Sequence, residues 1–243
     1  MNTAVHRHNN DPATSEFVGN SSAIPATADA SGAPKTARWL TLGAVAGPVL
    51  FTLSWLILGF LSPGYTAWGI HFAPYSPIVQ PISGLGLGPT GPYMNAAFVL
   101  CGVFVLVGVA GIFLSVREIS AVARWSCAVL LTLSALGIVM DGVFTLQTFF
   151  LHFIGFGVGC GAAALGFLVT GFALRRVPRW RGFGNQLLLA GPLTLALIVL
   201  SQVTFDQTAI IAGHGIAGLT ERIMVVDVLS WFAALGWLAF RRS

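Results

Sequence analysis

Asp141 and His152 are the first residues in this chain whose types and spacing suggest chemistry. A carboxylate beside an imidazole builds a general base or orients a metal ligand. Asp227 supplies a second carboxylate in an apolar setting, and two such acids at one depth share a proton, hold a cation or divide the roles of acid and base. Asp141, His152 and Asp227 are therefore the catalytic candidates. Candidate binding residues are Ser83, His71, His214, Asp206, Glu221 and Arg222. Ser83 lies in Ser83-Gly84-Leu85-Gly86, which brings a hydroxyl and free backbone N–H groups together but does not form a GxSxG elbow. Arg222 carries a planar fork suited to a carboxylate, and Asp206 or Asp141 is its expected partner. Neither HExxH nor HxxxH spacing occurs, so no metal or other cofactor is assigned. Against each candidate stands a plainer role: an acid that bonds a neighbouring helix, or a histidine that bonds a backbone carbonyl.

Residues of this kind must be held by membrane helices. Hydrophobic residues make up 56% of the chain and charged residues only 8%, against roughly 25% charged in soluble proteins. A surface with so few charges has to face lipid. Six apolar runs follow one another: Trp39–Leu61, Tyr93–Val116, Trp125–Gln147, His152–Leu174, Asn185–Thr204 and Arg222–Phe240. Each approaches the roughly 20 residues a helix needs to cross the hydrocarbon, and helical ladders satisfy the backbone there. The expected fold class is all-α, an integral bundle of six transmembrane helices in a cell membrane.

Lys35, Arg38, Arg117, Arg124, Arg175, Arg176, Arg179, Arg181, Arg241 and Arg242 all fall on one side of that topology, with Arg222 alone on the other. The positive-inside rule makes the arginine-rich side, and both termini, cytoplasmic. His71, His152, His214, Asp141, Asp206, Glu221 and Asp227 then gather at the outer side. Asp141 and Asp227 lie about 9 Å below the outer boundary by helical rise. The net charge of +4 is confined to clusters beside apolar runs, so nucleic acid is not a partner. The lipid bilayer is, together with a lipid or small molecule at the outer face.

Residues 1–34 are rich in Ala, Ser, Thr, Asn and Pro, lack apolar periodicity and do not resemble a secretory signal. They are expected to form a disordered cytoplasmic tail, with residues 35–243 as the membrane domain. The outer loop at 62–92 has six prolines, six glycines and no Lys, Arg, Asp or Glu. It is too apolar for a solvated loop and too rich in breakers for a regular element, so it is expected to fold over the bundle as a lid. Cys101, Cys127 and Cys160 read as small buried residues. Gly155, Gly157, Gly159 and Gly161 smooth the fourth helix, which is expected at the centre of the bundle. Arg38-Trp39, Arg124-Trp125 and Arg179-Trp180, with Ala-Gly-Pro at 46–48 and 190–192, record either three related hairpins or repeated interfacial anchors.

Pro63-Gly64-Tyr65, Pro81-Ile82-Ser83-Gly84-Leu85-Gly86, Asp141, His152 and Gly218-Leu219-Thr220-Glu221-Arg222-Ile223 together resemble a bacterial membrane family known as domain of unknown function 998. The resemblance implies six helices and no assigned activity. Members more often carry an acidic residue after the serine, where this chain has Gly84. Three functional readings stay open. The first is an envelope protein whose polar residues are structural, which carries the most weight. The second is a membrane-embedded, metal-assisted hydrolase of lipid or envelope material. The third is a small ion-coupled transporter, for which the cytoplasmic half of the helices offers few polar residues.

Overall fold

The computed structural model describes residues 35–242, so the expected tail at 1–34 lies outside the described residues. Each apolar run becomes a long helix, because only an internal hydrogen-bond ladder satisfies a backbone surrounded by apolar side chains. The elements are α1 (Lys35–Leu40), α2 (Gly43–Leu61), β1 (Tyr65–Ala67), β2 (Ile70–Phe72), α3 (Gly91–Ser115), α4 (Ala121–Val143), α5 (Phe149–Leu174), α6 (Arg181–Thr204), α7 (Gln207–Ile211) and α8 (Ala217–Arg242). Six helical spans are long and apolar enough to cross a membrane. The largest boundary shift from the sequence reading is at α8, which starts at Ala217 rather than Arg222. Pro48 and Pro192 sit inside α2 and α6 without ending them.

Each long helix packs against its neighbours in the chain, from α2 through α3, α4, α5 and α6 to α8, and α8 closes the ring against α2. One end of the bundle carries the loop between α2 and α3 (the loop face). The other carries the arginine clusters (the arginine face). Cys127, Leu131, Phe167, Phe232 and Leu235 are fully buried and fill the interior toward the arginine face.

The span containing α3 has 56% of its apolar window buried and that containing α5 has 44%, so α3 takes the central place expected for the fourth helix. Glycines two apart cannot share a helix face. Gly155 and Gly159 meet α4, while Gly157 and Gly161 face open space. Trp39 and Trp125 are exposed as interfacial anchors would be, but Trp180 is buried beneath the Arg242 guanidinium, 4.6 Å from its ring.

The loop contains more regular structure than its proline and glycine content predicts. β1 and β2 pair antiparallel, with Tyr65 opposite Phe72. Trp68 and Gly69 turn the hairpin with φ of 52° and 75°, the backbone of a two-residue type I′ connection. Alternation supplies the reason: Tyr65, Ala67 and Phe72 point inward and are buried, whereas Thr66 and His71 are exposed. A 3-10 turn at Ile82–Gly86 then touches α2, α3 and α8.

Candidate functional site

The first backbone N–H groups of a helix have no partner inside it. At α8 the loop supplies them: Gly218 N–H donates to the Val79 carbonyl at 3.3 Å, and Leu219 N–H to that of Ile78 at 3.0 Å. The approach is so close that a Cβ at Gly218 would lie 2.2 Å from the Gln80 oxygen. Four residues on, Arg222 is buried and its Nη1 donates to the carbonyls of Pro77 (2.7 Å), Gln80 (3.1 Å) and Gly218 (2.8 Å). Its Nη2 donates to the Tyr75 hydroxyl, which in turn donates to the Pro81 carbonyl at 2.9 Å. Burial pushes the Tyr75 phenol well above its ordinary range, so it stays a neutral donor and acceptor.

The expected pairing of Arg222 with Asp206 or Asp141 is therefore overturned. Loop carbonyls occupy the guanidinium. Asp206 caps α7, accepting from Thr208 N–H at 2.8 Å and Ala209 N–H at 3.3 Å. Asp141 faces His152.

Glu221 precedes Arg222 and projects about 100° away around the helix. Its Oε2 accepts from Ile82 N–H at 2.6 Å. Gly218–Arg222 and the loop at 75–82 thus form one clamp, joining two short motifs that lie far apart in the sequence.

On the inner side of that clamp, Asp141 ends α4 and His152 opens α5. His152 Nδ1 lies 2.8 Å from the Phe144 carbonyl and 3.6 Å from Asp141 Oδ1. A carbonyl only accepts, so Nδ1 carries the proton and Nε2 is left as an acceptor. Asp141 Oδ1 is buried and makes no hydrogen bond among the described residues. Gly155 makes room for it, since a Cβ there would be 2.5 Å from that oxygen.

Asp141, His152, Glu221, Ser134 and Cys160 line a chamber of about 50 Å³. A second cavity of about 50 Å³, lined by Ser83, Ser201, Gln202, Phe149, Phe153 and Phe205, adjoins it across His152, Phe156 and Glu221. Each has room for one or a few water molecules. Between α5 and α6 the phenylalanines form a ladder, with ring centroids 6.0 Å apart for Phe149–Phe153 and 6.5 Å for Phe153–Phe156. Phe149 and Phe153 are nearly half exposed on the flank of the bundle.

The structure thus brings Asp141, His152, Glu221 and Ser83 to adjoining cavities and leaves the other candidates elsewhere. Asp227 accepts from Thr194 Oγ1 at 2.6 Å and Trp231 Nε1 at 3.0 Å, away from the chamber. His71 is exposed on β2, 3.2 Å from Thr66 Oγ1, and His214 is exposed between α7 and α8. Ser134, Ser201 and Gln202 were not singled out in the sequence, and Cys160 was read only as a small buried residue, where it is half-buried. Their signal was faint: single polar positions in apolar helices. Among the described residues, no three His, Cys, Asp or Glu side chains are grouped to hold a metal ion.

The model of the family described as protein of unknown function, DUF998, matches residues 45–238. Neither a curated protein nor a solved structure matches the chain. A side chain after Ser83 would meet the Tyr65 ring, 2.6 Å from a Cβ at Gly84. The chain belongs to the DUF998 family.

Proposed function

We propose, for this member of a family without an assigned activity, that the protein binds an amphiphilic small molecule. Its polar head occupies the Asp141–His152–Glu221 chamber, and its apolar part lies along Phe149 and Phe153 between α5 and α6. The observation that carries this reading is the buried Asp141 Oδ1 with no hydrogen-bond partner. Such an oxygen costs about 1–3 kcal/mol unless a donor answers it. Asp141, Glu221 and His152 Nε2 face the chamber beside the unpartnered Ser134 hydroxyl, which both donates and accepts. The head that suits it is one that exchanges hydrogen bonds in both directions, as a hydroxylated group does. Binding alone asks nothing more of these residues.

Proton transfer on the bound head is the second reading. The Phe144 carbonyl supports it by fixing one imidazole nitrogen and leaving the other to act. Metal-assisted hydrolysis has no ligand set behind it among the described residues. Passage through the bundle has none either, because Leu131, Phe167 and Phe232 pack the interior toward the arginine face.

The loop face is the outer one in this reading. Arg222, the single basic residue on that side, is consumed by the loop clamp and does not count against the orientation. Reporter fusions after Arg117 and Arg179 should read as cytoplasmic and one after Gln207 as external; an external signal at Arg179 would reverse it. For the ligand, gently extracted wild-type and Asp141→Asn proteins should be compared by mass spectrometry of their bound amphiphiles. A species depleted about tenfold in the variant, or ~1.4 kcal/mol, is expected. Identical profiles would end the proposal.

A further inference from the structure

The chamber accounts for one polar group of a bound head, and the cavity beside it holds polar side chains that no contact explains. Ser83 on the loop and Ser201 on α6 are only 6% and 5% exposed, and both line this second cavity. Neither hydroxyl makes a hydrogen bond with another described residue, although buried hydroxyls as a rule have a partner. Gln202, the next residue of α6, adds an amide that both donates and accepts. Phe149 and Phe153 line the second cavity and not the chamber, so the order inward from the flank is phenylalanines, second cavity, chamber. Size and charge narrow what fits. Each cavity is about 50 Å³, which suits a single hydroxyl-bearing carbon and is too small for a sugar ring. Among the described residues neither cavity is lined by Lys or Arg, and Asp141 and Glu221 line the chamber, so a phosphate has no cation to meet it.

We propose that the bound head is a glycerol-type diol. One hydroxyl lies in the chamber, the next bonds Ser83 and Ser201, and the apolar chain leaves along Phe149 and Phe153. This inference rests on the chamber reading above and adds a second subsite to it. Asp141 holds any hydroxylated amphiphile, whereas Ser83 and Ser201 select the one that carries a second hydroxyl beside the first.

Delipidated protein in a hydroxyl-free detergent should be titrated with 1-oleoylglycerol, oleyl alcohol or oleyl phosphate and followed by native mass spectrometry. The glycerol ester should bind about fivefold more tightly than the alcohol, the worth of one further hydrogen bond, and the phosphate most weakly. Ser201→Ala should remove that advantage and leave the alcohol unchanged. Ser83→Ala, on a separate element, should do the same and serves if Ser201→Ala does not fold. Asp141→Asn should weaken the ester and the alcohol alike. Equal binding of the two, with both lost in Asp141→Asn, would overturn the second subsite and leave the chamber reading standing. Equal loss of both in Ser201→Ala, or oleyl phosphate binding as tightly as the ester, would also overturn it. Binding of none of the three would overturn the chamber reading as well.

Discussion

Arginine does opposite jobs at the two ends of this bundle. At the arginine face the cations are exposed or half-exposed and reach back to the ends of helices: Arg38 Nε donates to the Phe240 carbonyl at 3.0 Å, and Arg179 to that of Arg242. There they satisfy the last carbonyls of α8, which have no partner within the helix, and stay wet. At the loop face Arg222 is buried and spends its donors on loop carbonyls and a phenol. Burial is the difference. A charge taken from water has to be answered by acceptors. Here Nη1 and Nη2 are answered, while the buried Nε has no hydrogen-bond partner among the described residues; the segment that answers the two becomes fixed in place.

The contrast breaks most easily at Arg222. Arg222→Lys keeps the charge but loses the fork that spans Pro77, Gln80 and Tyr75, so the detergent-solubilised protein should lose about 3 kcal/mol of stability. Arg241→Lys should melt like the wild type. Equal melting of the two variants would show that the buried arginine is no clamp. A smaller effect is expected at the chamber wall. Gly155→Ala drives a methyl into Asp141 Oδ1 and should cost about 1–3 kcal/mol by overpacking. Gly157→Ala, which meets open space, should leave the melting temperature unchanged or raise it. If both lower it alike, the room beside Asp141 is not what Gly155 provides. The smallest effect belongs to the arginine face, where Glu118→Gln removes an exposed ion pair of 3.5 Å. It should cost under about 0.5 kcal/mol, and less in high salt. A larger loss would mean that this end is also held by its charges.

The helices were legible because their signal is length and hydropathy, which do not depend on partners. The Asp141–His152 contact was legible too, because a short turn between two spans leaves their ends nowhere to go but together. Asp227 takes the plainer of its two expected roles, bonding Thr194 of a neighbouring helix, for a geometric reason. Depth along a helix comes from counting, but direction comes from phase. Six residues past Glu221 the helix has turned about 600°, which leaves Asp227 some 120° off the chamber. Val225 and Val228, four and seven residues on, share the Glu221 face and do line the chamber. The clamp was hidden for another reason: its acceptors are backbone carbonyls, which every residue type carries and no sequence pattern advertises. The hairpin needed only Tyr65, Ala67 and Phe72 to be read as alternating, a pattern drowned by the surrounding prolines and glycines.

The closed ring of helices also sets an order in time. Spans enter the membrane as they leave the ribosome, so Asp141 and His152 meet as soon as α5 has followed α4. At that moment the chamber lacks its α8 wall, and the carbonyls of Pro77 and Gln80 have no guanidinium to accept from. Arrival of α8 brings Glu221 and Arg222 on consecutive residues, one walling the chamber and the other fastening the loop. The site is therefore finished in a single late step. A chain halted before Ala217 would lack both the chamber's Glu221 wall and the guanidinium that fastens the loop.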